Sequence, residues 1–212
     1  MRPARLRPPH EMALAPAGGV AMLPIFQFGG RMLITLFTDA SYCSRTQIAA
    51  YAAWAKADGY TVRHAGVFKA RVTDSSIAEA QALVNGLCFA LARLRPGAPS
   101  KIIAQTDCLV AIHALTGQLR KTRAIERYAP IVATYAERVS RPGLAVEFRH
   151  VSAHKGTITP RNAVNTWCDE ACRTLLRQAR EADLPSKSNR KGANDGVNDQ
   201  RHTSHGKSPP ES

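Results

Sequence analysis

The strongest constraint on the fold is the dipeptide Asp58-Gly59. It separates two apolar-rich runs, IAAYAAWAKA over 48–57 and YTVRHAGVF over 60–68. Asp-Gly is a favoured two-residue hairpin loop, because both central residues must take positive φ. The run 48–57 is ambiguous alone, since its alanines favour a helix. The turn decides the matter and predicts two antiparallel strands. A β-rich alternation over 33–38 supplies a strand before them, ending at Asp39.

Further along, strands and helices alternate. Ser75 or Ser76 can cap a helix with Glu79 in its first turn and apolar positions at Leu83, Leu87 and Leu91. Pro96-Gly97 ends it. KIIAQT (101–106) reads as a strand meeting Asp107, followed by helices near 108–115 and 123–139. LAVEFRHV (144–151) is a fifth strand, and a last helix is expected over about 164–181. The order β-β-β-α-β-α-α-β-α predicts an α/β fold with a mixed five-stranded sheet covered by helices. Ile77, Leu83, Leu87, Leu115 and Ile131 are assigned to the core, and Trp54 and Trp167 to packing on the sheet.

Charge separates this middle from the two ends. The 212 residues carry a formal charge of +13. Residues 1–31 hold +3 and are rich in Pro, Ala and Gly; 183–212 hold +1 and have almost no apolar side chains. The span 32–182 keeps +9, from 20 basic and 11 acidic residues. The expected organisation is an N-terminal extension (1–31) without fixed structure, a folded domain (32–182) and a disordered polar tail (183–212). Met22 or Met32 is a candidate start. A basic domain implies a polyanion partner. Pro16, Gly18, Gly19 and Pro24 break any signal-peptide core, and no run approaches 18 apolar residues, so neither a signal peptide nor a membrane span is expected. Cys43, Cys88, Cys108, Cys168 and Cys172 lack metal-site spacing and read as reduced, buried small hydrophobes. The expected compartment is reducing and cytoplasmic, with no obligate protein partner evident.

Four acids stand out by position. Asp39 and Asp107 end strands one and four, Glu79 opens the first long helix, and Asp169 lies in the first turns of the last one. Groups at the carboxyl ends of neighbouring strands converge on one crevice. Carboxylates gathered there repel unless a hard cation such as Mg²⁺ neutralises them. Two such ions would activate a water and stabilise the leaving oxygen in phosphodiester hydrolysis. The plainer reading is that each acid serves its own turn or helix start. His154, in the loop HKGTITP, is a candidate for proton transfer.

With these residues assembled, the chain resembles the ribonuclease H family, type I. FTDAS (37–41) is similar to its first strand motif, with Asp39 as metal ligand. TDSSIAEAQAL matches the helix bearing Glu79, IIAQTDCLVAI the strand ending at Asp107, and HVSAHKG followed by NTWCDEACRTL the final signature. In that signature His154 matches the loop histidine, Asn165 the helix-opening Asn and Asp169 the last ligand. The resemblance covers about residues 32–180. It implies an endonuclease that cuts the RNA strand of RNA–DNA hybrids and leaves 5′-phosphate and 3′-hydroxyl ends. Asp39, Glu79, Asp107 and Asp169 would hold two Mg²⁺, with Mn²⁺ as a substitute. It further implies substrate contacts from Ser75, Ser76 and Asn165, and from the basic cluster Arg120, Lys121 and Arg123, although Asn165 reads equally as the cap of its helix and the basic cluster equally as a solvated face. The sequence departs from the family pattern at Ala40, at Thr166 and in a longer loop between His154 and Asn165. Readings that compete are a DNA nuclease of the same fold, transposase-like or junction-resolving, and a non-catalytic nucleic-acid-binding protein.

Overall fold

The computed structural model describes residues 31–151 and 160–183. His154 and nearly all of the two expected end segments lie outside the described residues. Five strands and four helices follow in the expected order: β1 (Leu33–Cys43), β2 (Ile48–Ala57), β3 (Tyr60–Val67), α1 (Ser75–Leu94), β4 (Ser100–Thr106), α2 (Leu109–Leu115), α3 (Thr122–Arg138), β5 (Leu144–His150) and α4 (Pro160–Asp183).

The strands form one sheet in the order β3-β2-β1-β4-β5. β1, β2 and β3 are antiparallel neighbours, and β4 and β5 add in parallel. Asp58 and Gly59 take φ of 46° and 84°, as a tight hairpin between right-twisted strands requires. The alanine-rich run is therefore a strand, and its alanines serve both faces. Ala49, Ala53 and Ala55 join the cluster packed with α1, while Ala50 and Ala52 join Phe37, Cys168 and Cys172 under α4. Helices α1, α2 and α3 pack together on one side of the sheet, and α4 lies across β1, β2 and β3 on the other. Ile77, Leu83, Leu87, Leu115 and Ile131 are all buried, and Trp54 of β2 and Trp167 of α4 pack, partly buried, against the cluster between the sheet and α4.

At Gly86 α1 lies close against the sheet. A Cβ there would stand 2.5 Å from Thr38 Cγ2 and 3.3 Å from Ala53 Cβ. Thr38 immediately precedes Asp39, so this contact bears on the neighbouring carboxylate. By length and composition α1 could cross a membrane, contrary to expectation. Its apolar character has another cause: it is the central helix, pressed between the sheet and α2 and α3, with Leu83, Leu87 and Ala90 fully buried.

Several boundaries differ from expectation. β1 does not end at Asp39 but runs on to Cys43, because β2 continues to pair with it as far as Cys43↔Ile48. Neither serine caps α1. Asp74 does, accepting a 3.0 Å hydrogen bond from the Ile77 amide, while Ser76 Oγ donates to Asp74 Oδ1 at 2.6 Å. Arg127 pairs with the same carboxylate. Glu79 is consequently the fifth helical residue and opens the second turn. α4 begins at Pro160 rather than 164; proline suits a first helical position, where its missing N–H costs nothing. Asn165 is thus the sixth residue of α4 and not its opening, and Asp169 lies in the third turn. The longer connection expected before Asn165 is partly helix.

Of the five cysteines, all free, only Cys168 and Cys172 are buried, and the other three are partly exposed. Expectation held for the α4 pair alone, since β1 and β2 cover that helix.

Candidate active site

The site is built by register. The parallel ladder between β1 and β4 ends at Phe37↔Gln105. Asp39 and Asp107 each lie two residues further on, so they emerge side by side where the strands part. After Thr106 the chain turns away: Thr106 Oγ1 accepts from the Cys108 amide at 3.2 Å, leaving Asp107 exposed at the turn. On the far side, His150 Nε2 donates to the Asp107 carbonyl at 2.9 Å and ties the turn to the end of β5. Glu79 reaches the crevice from α1 on one face of the sheet, and Asp169 from α4 on the other.

The four carboxylates line one cleft of about 210 Å³, together with Ala40, Ser41, Asn165 and Arg173. Oxygens of Asp39, Glu79 and Asp107 lie within 4.8 Å of one another. The Ala40 amide donates to Asp39 Oδ1 at 2.9 Å and to Glu79 Oε1 at 3.2 Å. One N–H thus holds the strand acid and the helix acid together. Glu79 Oε2 is buried and has no hydrogen-bond partner among the described residues.

This crowding is electrostatically unfavourable. Burial, then the charges of Asp107 and Asp169, push Asp39 up to about 6, although the Ala40 amide works against them. Burial, then the charges of Asp39 and Asp107, hold Glu79 well above the usual carboxylate range. Glu147, on the exposed surface of β5 between Arg149 and Lys101, is held down at about 2. The contrast is physical: Glu147 has cations beside it, and the buried pair in the cleft has mainly other carboxylates. A buried carboxylate oxygen without a partner, in a set of hard oxygen donors, fits a small divalent cation such as Mg²⁺. Asp39, Glu79, Asp107 and Asp169 are the residues that would hold it.

The other expected site residues fare unequally. Asn165 lines the cleft. Ser75 and Ser76 lie outside its lining, and Ser76 is engaged with the helix cap. Arg120, Lys121 and Arg123 are exposed where α2 gives way to α3, also outside the cleft lining. Sequence reasoning missed Ser41, Cys172 and Arg173. Arg173 Nε donates to Asp169 Oδ1 at 2.7 Å, and Cys172 Sγ lies 3.2 Å from Ser41 Oγ. The signal for both was present: on a helix, positions three and four beyond Asp169 share its face.

The RNase H family model matches residues 31–177. No curated protein sequence matches the chain. Among solved structures, the chain is similar to the N-terminal RNase H domain of Rv2228c from Mycobacterium tuberculosis, studied as a fusion with maltose binding protein. Identity is 15% and the TM-score 0.53, over 72% of this chain and 99% of that one. LC11-RNase H1 in complex with an RNA/DNA hybrid is 18% identical with a TM-score of 0.48, over 69% and 98% of the two chains. RNase H1 of the archaeon Halobacterium salinarum is 20% identical with a TM-score of 0.45, over 69% and 98%. The family match takes in the whole sheet and most of α4, including all four cleft carboxylates: the chain belongs to the RNase H family.

Proposed function

We propose that the chain hydrolyses the RNA strand of RNA–DNA hybrids, leaving 5′-phosphate and 3′-hydroxyl ends. The observation that carries this reading is the convergence of Asp39, Glu79, Asp107 and Asp169 on one cleft, with a buried Glu79 oxygen that has no partner among the described residues. Family membership supplies the substrate class. Two Mg²⁺ bound by these carboxylates would supply a nucleophilic water and charge neutralisation at the leaving oxygen.

The protein's own groups set the stage for that chemistry. The Ala40 amide fixes Asp39 and Glu79 relative to each other. Asp39 and Asp107, at the parting of β1 and β4, face the scissile phosphate from the sheet. Asp169 approaches from α4, and Asn165, one turn earlier, offers amide donors and an acceptor at the rim of the cleft. Arg120, Lys121 and Arg123 attract the phosphate backbone by charge, without reading sequence. His154 is the candidate for proton transfer or product release. Hybrid recognition would rest on groove shape and 2′-hydroxyls.

The test is cleavage by the purified chain with Mg²⁺ or Mn²⁺, with hybrid, duplex RNA and duplex DNA assayed side by side. Hybrid alone should be cut efficiently. Asp39→Asn and Asp107→Asn should each abolish cleavage while circular dichroism stays native. Hybrid bound but never cut in either metal would favour a binding protein, and duplex DNA cut at a comparable rate would favour a DNA nuclease.

A further inference from the structure

Helix α4 carries Arg173, Arg177 and Arg180 at spacings of four and three residues. On a helix such positions fall within about 60° of one another and span about 10 Å, so the three arginines form a stripe along one face. The stripe begins inside the site already described, where Arg173 lines the carboxylate cleft and donates to Asp169. It ends at the far end of β1. There Arg71 ties α4 to the β1–β2 turn, donating to the Thr46 carbonyl and to Asp183 Oδ1, each at 2.7 Å. Hydrogen bonds from Thr46 hold the Cys43 thiol below its usual value, and Arg180 is near enough for its charge to add to them. Arg45 is exposed in the same turn.

The acids of this region leave the outer part of the stripe uncompensated. Asp183 pairs with Arg71, and Asp169 with Arg173. Glu170 and Glu181 are exposed and lie along one edge of the stripe. Among the described residues, neither Arg177 nor Arg180 forms an ion pair, and the buried Nε of Arg180 has no hydrogen-bond partner. Guanidinium groups in a row, without carboxylates to answer them, complement the phosphates of a nucleic-acid strand. The length of the stripe matches about three 3.4 Å steps of such a strand. We propose that Arg177 and Arg180, continuing from Arg173, hold the phosphate backbone of the nucleic acid where it leaves the cleft toward the β1–β2 turn. Arg120, Lys121 and Arg123 belong to the helices on the opposite face of the sheet, so the two basic sets grip the duplex from both sides of the cleft. That the occupant is an RNA–DNA hybrid rests on the function proposed above; the charge of the stripe and its continuity with the cleft do not.

The experiment is binding of a fluorescently labelled RNA–DNA hybrid by the full chain, read by anisotropy in chelator over a salt series. The double variant Arg177→Gln with Arg180→Gln should bind more weakly at low salt. It should lower the slope of log affinity against log salt by about 1 to 2. Arg93→Gln with Arg95→Gln removes the same charge from the end of α1, across the sheet, and should keep the wild-type slope. An α4 variant with the wild-type slope, or one indistinguishable from the α1 control, makes the stripe an ordinary solvated face and overturns the proposal. Circular dichroism reports whether each variant is folded. If the double variant is not, exposed Arg177 decides the matter alone: Arg177→Gln should lower the slope by about 1, and an unchanged slope overturns the proposal. Hybrid cleavage by wild type in Mg²⁺ is read separately. Its absence would remove the functional reading and leave the binding result standing.

Discussion

Asp39 concentrates the conflict between stability and function in this molecule. Its acid form is favoured by burial and by the charges of Asp107 and Asp169. A carboxyl whose folded pKa is raised supports the fold fully below its unfolded pKa. That support is lost as pH rises from about 4 to about 6. In chelator, wild type should therefore lose more stability across this window than Asp39→Asn, in which the burial of Glu79 still opposes its ionisation. Above it the variant should be the more stable by up to about 3 kcal/mol. Urea unfolding from about pH 3.5 to about pH 8 checks the sign, and adding Mg²⁺ near pH 7.5 should stabilise wild type but not the variant. Arg173 poses a related question, since its guanidinium already neutralises Asp169 from a largely exposed position. Such a pair contributes at most about 1 kcal/mol. Arg173→Ala should barely change thermal stability. It should lower the Mg²⁺ concentration needed for half-maximal stabilisation, by up to about fivefold, because a competing cation is gone.

At the scale of elements, α1 and α4 carry one ligand each and rest on opposite faces of the sheet. Gly86 sets how closely α1 can lie. Gly86→Ala forces a methyl against Thr38 and should cost about 1–3 kcal/mol, read as a lower unfolding midpoint. Metal affinity should fall as well, because Glu79 rides on the displaced helix. Asp74→Ala should cost about 1 kcal/mol through the lost cap, with a smaller effect on metal binding. The elements themselves were legible: Asp58-Gly59 overrode the helix propensity of six alanines, and four acids at strand and helix ends marked the crevice. The helix starts were not. TDSS offers caps of similar intrinsic preference at Asp74, Ser75 and Ser76. The hydrogen bond from Ser76 and the pairing with Arg127 favour Asp74, and Arg127 is a tertiary partner. Pro160 suits a first helical position equally as well as a loop, which hid the first turn of α4. Cys172 read as an inert core residue because its neighbour Ser41 lies 131 positions away in the chain.

Across the whole molecule, charge and chemistry are separated. The span 32–182 is strongly basic, yet its cleft is lined by four carboxylates. Binding and turnover should therefore respond to different perturbations. Replacing Arg120, Lys121 and Arg123 together by Ala should weaken hybrid binding at low salt and reduce the slope of log affinity against log salt by about 2 to 3. The single-turnover rate at saturating hybrid should stay the same. A triple variant whose salt slope equals that of wild type would remove these residues from the substrate path. The paired alanines of β2 carry a different consequence. Ala53 lies under the helix that bears Glu79, and Ala52 under the helix that bears Asp169. The sheet is thus a spacer of fixed thickness between two ligand-bearing arms, and its smallest side chains act as the gauge. A larger residue in this strand would press α1 or α4 away from the sheet, so stability and metal affinity should fall together.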